Sequence, residues 1–485
     1  MANQKHATHW INGAWIDTGV KKESINPATG EVIGTYVQGG KAEADQAIAA
    51  ALDTFKNSDW RHNRELRFKV LNELANVFEA RQNELIQAIA LENGKLVPEA
   101  TFEVQLVMSG FRYGAAMVYA EFGRSAEWAP GKMSMLLKEP VGVAGISIPW
   151  NSPAALMVRS LAPALAAGCT AVLKMPTQTA HVNTLMAEIM ASVPSLPKGV
   201  INLVNGDREL LSTLVESPDV PTISFTGSTT TGRALLEQGA KRIKRFGLEL
   251  GGKTPHIVFN DADLDKLIPT VRAGVTTFAG QFCMTGSRIL VQKDIADTVR
   301  ERLAEVLKAV KTGPAADPSS EMGPLIDMPN VKRVDEMVEA GIAAGAKVIV
   351  RGGPFTEGPL AKGAFYQPAL LEVSDNQSDL VQKEVFGPVL TLQVFETERE
   401  AIELVNDSEF GLAASVWSRD VDRPLRIARE IDAGTIWGND WVVMRDEFEE
   451  GGYKQSGSGR LRGMAALDDF IEYKHIVLQP GVADR

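Results

Sequence analysis

The chain has 485 residues, of which 45% are hydrophobic and 23% charged, and its formal net charge is −11. This length is too great for one hydrophobic core, so we expect two or three domains. The acidic balance, without a basic cluster, argues against nucleic acid and against an anionic membrane as partners. Two cysteines, a polar N-terminus and no apolar run long enough for a membrane span predict a cytoplasmic protein.

The N-terminal part is predicted to form short strands and then helices. Asn12-Gly13 is a hairpin signal between two short apolar runs. Hydrophobic residues recur at i, i+3 and i+4 spacing over 44–55 and 66–78, and a third helical pattern covers roughly 98–122. We expect these apolar stripes to face a core.

From Val141 onward, short apolar strands alternate with helical periods. Strands are predicted near 143–148, 171–174, 200–204, 222–225 and 245–250. Such alternation implies βαβ units and a parallel sheet that is covered on both faces. Ligands bind parallel sheets at the carboxyl ends of the strands. The candidates are therefore the residues that end these strands, namely Trp150, Asn151, Lys174, Gly227, Ser228 and Glu249.

A second α/β series begins after Gly251-Gly252. Its elements are predicted near 256–259, 295–310, 347–350, 389–395 and 398–406. Two further strand-like stretches, 133–139 and 470–478, lie outside both series and pair either with each other or with another subunit. The sequence thus predicts an α/β protein in which the second series contributes Cys283.

Three residues in different parts of the chain could take part in catalysis. Cys283 lies between two glycines in the stretch 279–286; it is either an activated nucleophile or a packed, inert thiol. Glu249 ends a strand before Gly-Gly-Lys and is either a mobile general base or a surface carboxylate. Asn151 has an amide that could face an oxyanion, although it could also cap the helix that begins near Pro153.

Three other features could bind a nucleotide. The stretch 225–232 is a strand, a Gly-rich turn and a helix start, which offers backbone N–H groups to a phosphate but is not the dinucleotide fingerprint. Lys174 could bond a ribose. Glu384 and Phe386, in the turn 384–388, could hold a ribose hydroxyl and cover a flat ring. An ordinary capped turn, a surface lysine and a strand-entry turn are the respective alternatives.

Taken in order, these motifs resemble the aldehyde dehydrogenase superfamily over nearly the whole chain. The matching motifs are Asn26–Gly30, Pro149–Pro153, Gly168–Pro176, Phe225–Ser228, Leu248–Lys253, Gly280–Cys283, Glu384–Pro388 and Gly451–Gly457. Each motif is weak alone, but their ordered recurrence over this length is specific.

The resemblance implies a Rossmann-like parallel-sheet cofactor domain, a second α/β catalytic domain, a small β oligomerisation flap and a returning segment that lines the substrate tunnel. It also implies a homodimer or a homotetramer. The corresponding ranges are 1–123 with 140–250, then 251–438, then 124–139 with 465–485, and finally 439–464.

Residue roles follow from the same resemblance. Cys283 would attack the aldehyde, Asn151 and the backbone N–H of Cys283 would stabilise the oxyanion, and Glu249 would activate water to hydrolyse the thioester. Cys169 matches a structural position and is expected to be inert. No metal is expected. The predicted cofactor-binding residues are Trp150, Lys174, Thr177, Gly227, Ser228, Glu384 and Phe386.

Thr177 is a departure that bears on the cofactor. NAD-preferring relatives usually have Glu three residues after the lysine that corresponds to Lys174, and that carboxylate would repel a 2′-phosphate. Threonine can donate a hydrogen bond without repulsion, and Arg208 could add a cation. The sequence therefore predicts that NADP is accepted, either as the preferred cofactor or alongside NAD, with an incidental threonine and an NAD preference as the alternative.

Other departures bear on the substrate. Arg159, eight residues after Asn151, resembles the tunnel arginine of semialdehyde dehydrogenases, which suits a remote carboxylate. Arg445 either adds an anion contact or pairs with Glu449-Glu450, where relatives commonly have Pro-Phe. Both a carboxylate-bearing semialdehyde and an aromatic or bulky aldehyde stay open as substrates. The predicted substrate residues are Arg159, Trp441, Met444 and Arg445.

Leu461 replaces a glutamate that is thought to relay protons in many relatives, so Glu249 would need another path. Three alternative functions were considered. A coenzyme A-acylating dehydrogenase would typically lack Glu249, and a non-catalytic superfamily member would be expected to lose Cys283 or Glu249. A Cys–His hydrolase with His181 or His256 as base would leave the nucleotide motifs without a role.

Overall fold

A computed structural model of the chain describes residues 5–120 and 122–483. Within these ranges no helix has the length and apolar character needed to cross a membrane. The N-terminal elements are β1 (Lys5–Ala7), β2 (His9–Ile11), β3 (Ala14–Ile16), β4 (Val20–Ile25), β5 (Val32–Gln38), α1 (Lys41–Asn57), α2 (Arg64–Ala80), α3 (Gln82–Glu92) and α4 (Val97–Ala120).

The middle of the chain alternates strands and helices, as the sequence predicts. Its elements are β6 (Arg124–Ala129), β7 (Lys132–Pro140), β8 (Val143–Ser147), α5 (Pro153–Ala167), β9 (Thr170–Met175), α6 (Ala180–Ala191), β10 (Ile201–Asn205), α7 (Arg208–Glu216), β11 (Thr222–Thr226), α8 (Thr229–Ala240) and β12 (Arg245–Glu249).

The remaining elements belong mainly to the second series. They are β13 (Pro255–Val258), α9 (Leu264–Thr276), β14 (Arg288–Gln292), α10 (Ala296–Lys308), α11 (Met328–Ala343), β15 (Lys347–Val350), β16 (Gly353–Pro354), β17 (Tyr366–Gln367), β18 (Ala369–Glu372), α12 (Asp379–Gln382), β19 (Val389–Phe395), α13 (Glu398–Asn406), β20 (Phe410–Gly411), β21 (Ala413–Trp417), α14 (Arg423–Ala428), β22 (Thr435–Gly438), β23 (Tyr453–Lys454), β24 (Gly457–Ser458) and β25 (Ile471–Leu478).

The first large sheet has eight strands in the order β24-β12-β11-β8-β9-β10-β2-β3. Its five central strands are parallel, whereas β24 and the hairpin β2–β3 are antiparallel additions at the two edges. Asn12 and Gly13 adopt φ values of 53° and 73°, as a two-residue hairpin turn requires. Both the parallel sheet and the hairpin are therefore confirmed.

The second large sheet has seven strands in the order β15-β18-β19-β14-β13-β21-β22, of which only β15 is antiparallel to its neighbour. Every residue of β13 is buried, as is expected of a parallel strand that is covered on both faces. The α/β fold class is confirmed. The division into a cofactor-binding and a catalytic domain stays a prediction about function.

The two strand-like stretches outside these series pair with each other. Strand β25 runs antiparallel to β7 along its whole length, and β6 forms the other edge of this three-stranded flap. Pairing within the chain, which was one of the two predicted possibilities, is thus observed.

Helices α3, α7, α11, α12 and α14 were not predicted, and α3 and α7 show two of the reasons. Only Arg81 separates α2 from α3, so their apolar stripes merge in the sequence. Helix α7 spans nine residues and begins directly after its cap, Asp207, whose carboxylate accepts the Glu209 N–H. Short capped helices give little periodic signal because two turns hold few apolar repeats.

Helix α5 follows Asn151 and contains Arg159, two of the predicted site residues. Pro153 begins it and Gly168, at φ 104°, ends it, which are the favoured residues at these positions. Nearly all of its residues are buried, as is expected of a helix that is apolar on every side. Arg159 is its only charged residue.

Candidate active site

The candidate site lies at the carboxyl ends of β8, β11 and β12. The part of the chain that forms the second sheet covers these strand ends. A cavity of about 350 Å³ opens there. It is lined by Pro149, Trp150, Asn151, Leu156, Thr226, Gly227, Ser228, Leu250, Gly251, Cys283, Asn330, Arg333, Glu384 and Phe386. Seven of the predicted site residues, drawn from both large sheets, therefore line one cavity.

The loop that carries Cys283 has a strained backbone. Phe278 and Ala279 adopt φ values of 54° and 52°, and Gly280 follows at 70°. The left-handed region is unfavourable for side chains such as these, so surrounding contacts must impose it. The buried carboxylate of Glu99, from α4, accepts the Phe278 N–H at 2.7 Å. A Cβ on Gly280 would lie 2.3 Å from the backbone of Gly387, so this close approach requires glycine.

Asn151 points its amide at the same loop. Its Nδ2 donates to the backbone oxygen of Gln281 at 3.0 Å, and the residue is 6% exposed. The N-cap of α5 is Ser152, so the alternative that Asn151 caps this helix is wrong. The amide is thus a fixed donor two residues from Cys283.

Cys283 is a partly buried thiol that lines the cavity. Burial raises its pKa to about 12, and the positive charge of Arg159 is the main effect that lowers it. The thiol is therefore protonated near neutral pH, and a nucleophilic role requires a nearby base.

Glu249 provides a carboxylate for that role. It is the last residue of β12 and is 5% exposed, so the alternative of a surface carboxylate is wrong. Burial raises its pKa to about 8, against the lowering effect of Arg159, while Glu450 raises it further. Its Oε1 has no hydrogen-bond partner in the described part of the chain. A carboxyl group that titrates near neutral pH and keeps a free oxygen is suited to accept protons.

One flank of Cys283 is aromatic. The rings of Phe282 and Trp441 are 6.3 Å apart in an edge-on arrangement, and Trp441 Nε1 donates to the backbone oxygen of Met284 at 3.0 Å. Met444 packs into the same apolar cluster as Cys283. The segment after β22 thus places two of the predicted substrate residues beside the thiol.

Arg159 is buried and pairs with a carboxylate. Its Nη1 lies 3.4 Å from Oε2 of Glu450, and the two side chains are 9% and 8% exposed. Glu450 also accepts from Arg462 Nε at 2.8 Å, and Arg462 pairs in turn with Asp446. Arg445 is exposed and forms no ion pair with Glu449 or Glu450, so that predicted alternative is wrong.

A second aromatic pair lies across the cavity. The rings of Trp150 and Phe386 meet edge-on with centroids 5.5 Å apart. Glu384 accepts the Gly252 N–H at 3.1 Å, and burial raises its pKa to about 7. Arg333 donates to the backbone oxygen of Val385 at 2.8 Å, which fixes the turn between Glu384 and Phe386.

Ser228 caps α8 and accepts the Thr231 N–H at 3.3 Å, so the start of that helix faces the cavity. Lys174 lies on the neighbouring strand β9, where burial lowers its pKa to about 8 while Asp207 raises it. Thr177 follows at the end of this strand, within reach of the Tyr36 hydroxyl. Lys174 and Thr177 thus lie beside the cavity and not among its lining residues.

Four residues near the site were not predicted to belong to it: Phe282, Arg333, Glu450 and Arg462. No local signal marks them, because their partners lie far away along the chain. His256 is buried in β13 and accepts from Trp417 Nε1 at 3.3 Å, and neither it nor His181 lines the cavity.

Cys169 is fully buried, and its Sγ donates to the backbone oxygen of Phe470 at 3.3 Å. Burial raises its pKa to about 12. The environment of Cys169 agrees with the expected inert, packed thiol.

Fold and site together define an α/β enzyme that combines a thiol and a carboxylate with a cleft at the carboxyl ends of parallel strands. The model of the aldehyde dehydrogenase family matches residues 15–476. The betaine aldehyde dehydrogenase of Bacillus subtilis is 37% identical over 97% of this chain and 96% of its own length. Aldehyde dehydrogenase family 2 member C4 of Arabidopsis thaliana is 35% identical over 97% of this chain and 94% of its own.

A solved structure is similar throughout. The betaine aldehyde dehydrogenase of Staphylococcus aureus, in complex with NAD+, superimposes with a TM-score of 0.95 at 35% identity, covering 98% of this chain and 95% of that one. The chain therefore belongs to the aldehyde dehydrogenase family. It is an oxidoreductase that oxidises an aldehyde to a carboxylic acid.

Proposed function

We propose that Cys283 is the nucleophile, Glu249 the general base and Asn151 an oxyanion donor of this reaction. The observation that carries the proposal is the buried oxygen of Glu249, which has no partner in the described part of the chain and whose charge acts on the partly buried thiol of Cys283. Glu249 takes the thiol proton, and the sulfur attacks the aldehyde carbon to form a C–S bond. The Asn151 amide and the Cys283 N–H then stabilise the oxyanion.

A nicotinamide dinucleotide, when bound, supplies the hydride acceptor that converts this adduct into a thioester. Glu249 releases the thiol proton to solvent and then takes a proton from water, whose oxygen attacks the thioester carbon. The C–S bond breaks, the carboxylic acid leaves, and the proton on Glu249 returns to the sulfur and restores the thiol of Cys283. The presence of Glu249 argues against transfer of the acyl group to coenzyme A.

The cofactor side of the cleft, as we define it, consists of Trp150, Lys174, Ser228, Glu384 and Phe386. The helix N-terminus at Ser228 suits a pyrophosphate, and the Lys174 ammonium and the Glu384 carboxylate suit ribose hydroxyls. Ser228 and Glu384 line the same cavity as Cys283, so the residues that are present fit a dinucleotide that reaches the thiol.

We infer that both NAD+ and NADP+ are accepted. Thr177 carries no charge that would repel a 2′-phosphate, and Arg208 begins α7 as an exposed cation at the end of the next strand. The relatives' structures hold NAD+. A kcat/KM ratio for the two cofactors within tenfold would support dual use, and a hundredfold NAD+ preference would overturn it.

The aldehyde side of the cleft, as we define it, consists of Arg159, Phe282, Trp441, Met444 and Glu450, which surround Cys283 beside the cavity and are not among its lining residues. We propose an aromatic or bulky apolar aldehyde as substrate, because rings and a thioether surround Cys283. The charge of Arg159 is already balanced by Glu450, which reduces its attraction for a substrate carboxylate.

A carboxylate-bearing semialdehyde is a second candidate. It is favoured by the Nε and Nη2 atoms of Arg159, which have no partner in the described part of the chain. These two donors form one edge of the guanidinium and could bind a carboxylate in bidentate fashion. The relatives named for betaine aldehyde suggest a cationic substrate, which the buried Arg159 would repel.

One assay panel tests both the function and the substrate class. Benzaldehyde, succinic semialdehyde, betaine aldehyde and propanal are each assayed with NAD+ and NADP+ by cofactor absorbance. We expect the highest kcat/KM for benzaldehyde. A larger value for succinic semialdehyde would favour the second candidate, whereas turnover of none would contradict the proposed site. Mass spectrometry of the enzyme quenched during turnover should find the acyl group on Cys283.

A homodimer or homotetramer is also proposed. The flap exposes large apolar side chains for its size, including Trp128, Leu137, Tyr473, Val477 and Leu478. Such a patch usually marks an interface. Light scattering should give the mass of two or four chains. A cytoplasmic location stays a prediction from the low cysteine content.

A further inference from the structure

Glu249 lies in a crowded electrostatic environment. The charged and titratable groups that act on it come from four parts of the fold: Arg159 on α5, Cys283 on its loop, Glu450 and Arg460 in the returning segment, and Asp469 just before β25. After burial, which raises its pKa, Arg159 has the largest influence and lowers it. The groups that hold Arg159 in place therefore influence the pKa of Glu249.

Two complementary groups are left unpaired in this buried region. Arg159 uses only Nη1 for Glu450, so within residues 5–120 and 122–483 its Nε and Nη2 have no acceptor and Oε1 of Glu249 has no donor. Burying donors and acceptors without partners costs free energy. Ionised Glu249 would remove this cost for both groups by accepting from the open edge of the guanidinium.

A backbone pairing between two extended segments places Glu450 near Arg159. Glu450 and Leu461 exchange two backbone hydrogen bonds, each 2.7 Å long, as direct antiparallel partners. Residues directly opposite each other in such a pair project their side chains to the same face. The resemblance leads one to expect a glutamate at position 461, where this chain has Leu461. The carboxylate on that face of the pair is therefore the one of Glu450. Arg462 holds it in place through Nε.

We propose that Arg159 and Glu450 are positioning residues for the general base, with Glu450 fixing Arg159 so that its open edge receives ionised Glu249. The proposal rests on the role assigned to Glu249 above. An arginine stays protonated, so Arg159 acts as a fixed charge and not as a proton carrier. Glu249 must lose its proton to solvent before each hydrolysis, and the charge of Arg159 favours that loss.

The experiment measures the ionisation of Glu249 directly. Infrared difference spectra of the free enzyme are titrated from pH 5 to 10, and the spectrum of Glu249→Gln identifies the carboxyl band of Glu249. Arg159→Met should raise the apparent pKa of Glu249 by at least one unit, so that the ionised fraction at pH 7 falls about tenfold. Glu450→Gln keeps an oxygen that can accept from Arg159 and removes only the negative charge, so it should lower the pKa of Glu249. Arg159→Lys should restore part of the wild-type value.

Kinetics with propanal provide a second readout, since this aldehyde has no remote anion for Arg159 to bind. The acidic limb of the kcat profile should move to higher pH in Arg159→Met and to lower pH in Glu450→Gln. Arg460→Met, which removes a weaker influence, should move it less than Arg159→Met. Damage to the fold alone would not shift two variants in opposite directions.

Three outcomes would overturn the inference: no shift in Arg159→Met, shifts of equal sign in the two charge-removing variants, or an effect of Arg159→Met confined to the KM of succinic semialdehyde. If Arg159→Met does not fold, Arg159→Lys and Glu450→Gln decide the matter. Full turnover by Glu249→Gln would instead refute the proposed base, which separates that failure from failure of the present inference.

Discussion

The two sides of the cleft arrange their charges differently. On the cofactor side, Lys174 and Glu384 each lie at a strand end or turn, and their pKa values are shifted chiefly by burial. On the aldehyde side, Arg159 and Arg462 both pair with Glu450, and two donors of Arg159 have no partner among the described residues. The first side offers isolated groups to a ligand, whereas the second is a balanced cluster that acts on the thiol and the base between them.

The largest expected effect concerns Cys283, which lies between the two sides of the cleft. Cys283→Ala should reduce kcat by at least about 10³-fold, because no other thiol can take its place. The matched control is Cys169→Ala, which removes the only other cysteine from the buried core and should retain near wild-type kcat. Equal losses in the two variants would show that packing, and not nucleophilic attack, is being measured.

Glu249→Gln comes next, with a reduction in steady-state kcat of roughly 10²–10⁴-fold. In stopped flow, any thioester that forms should accumulate, giving a burst of reduced cofactor followed by slow turnover. In the wild type, hydrolysis should accelerate as pH rises through about 8, where Glu249 ionises. A hydrolysis rate that is constant from pH 6 to 9 would contradict the assignment.

The same carboxyl group should affect stability with the opposite trend. Its pKa is about 8 in the folded protein and about 4.5 in an unfolded chain, so the folded state binds the extra proton between these values. The stability of the wild type relative to Glu249→Gln should therefore fall as pH rises from 4.5 to 8. Thermal melts of both proteins at pH 5 and pH 8.5 test this, and a constant difference in Tm would speak against it.

Substitutions on the two sides should separate the two Michaelis constants. Glu384→Gln should raise the KM for the cofactor about tenfold with little change for the aldehyde, corresponding to ~1.4 kcal/mol of lost binding. Trp441→Ala should raise the KM for benzaldehyde by a similar factor and leave that for the cofactor unchanged. If each variant altered both constants alike, the division of the cleft into two sides would have no functional basis.

The smallest effect is expected from Thr177→Glu. The added carboxylate should lower kcat/KM with NADP+ roughly tenfold through repulsion of the 2′-phosphate, with NAD+ nearly unaffected. Thr177→Gln is the matched control of similar size without the charge. A loss with NADP+ that is equally large in Thr177→Gln would point to size and not charge.

Much of the cofactor side could be predicted from sequence for a local reason. Trp150, Ser228 and Glu249 each follow or end an apolar strand, and parallel strands bring their carboxyl ends to one edge of the sheet. The order of strands and helices was read from the change in hydrophobic periodicity. Helices α3 and α7 were not predicted in this way, because α3 lacks a clear break from α2 and α7 is short.

The aldehyde side could be predicted only in part. Arg159, Trp441 and Met444 were singled out by position in the resemblance, but the pairing of Arg159 with Glu450 spans 291 residues. Sequence patterns do not encode such a contact, because it depends on how the returning segment packs over α5. The open edge of Arg159 and the free oxygen of Glu249 likewise emerge only when neighbours in space are known.

The sequence by itself determined the α/β alternation, the flap strands and the family, and it predicted which thiol, carboxylate and amide take part in catalysis. Hydrophobic periodicity and motif order are carried by neighbouring residues, so these features do not require coordinates. Only the tertiary structure decided which charges surround Glu249 and that the carboxylate opposite Leu461 belongs to Glu450. The physical reason is that the pKa of a buried group depends on burial and on charges brought together from distant parts of the chain.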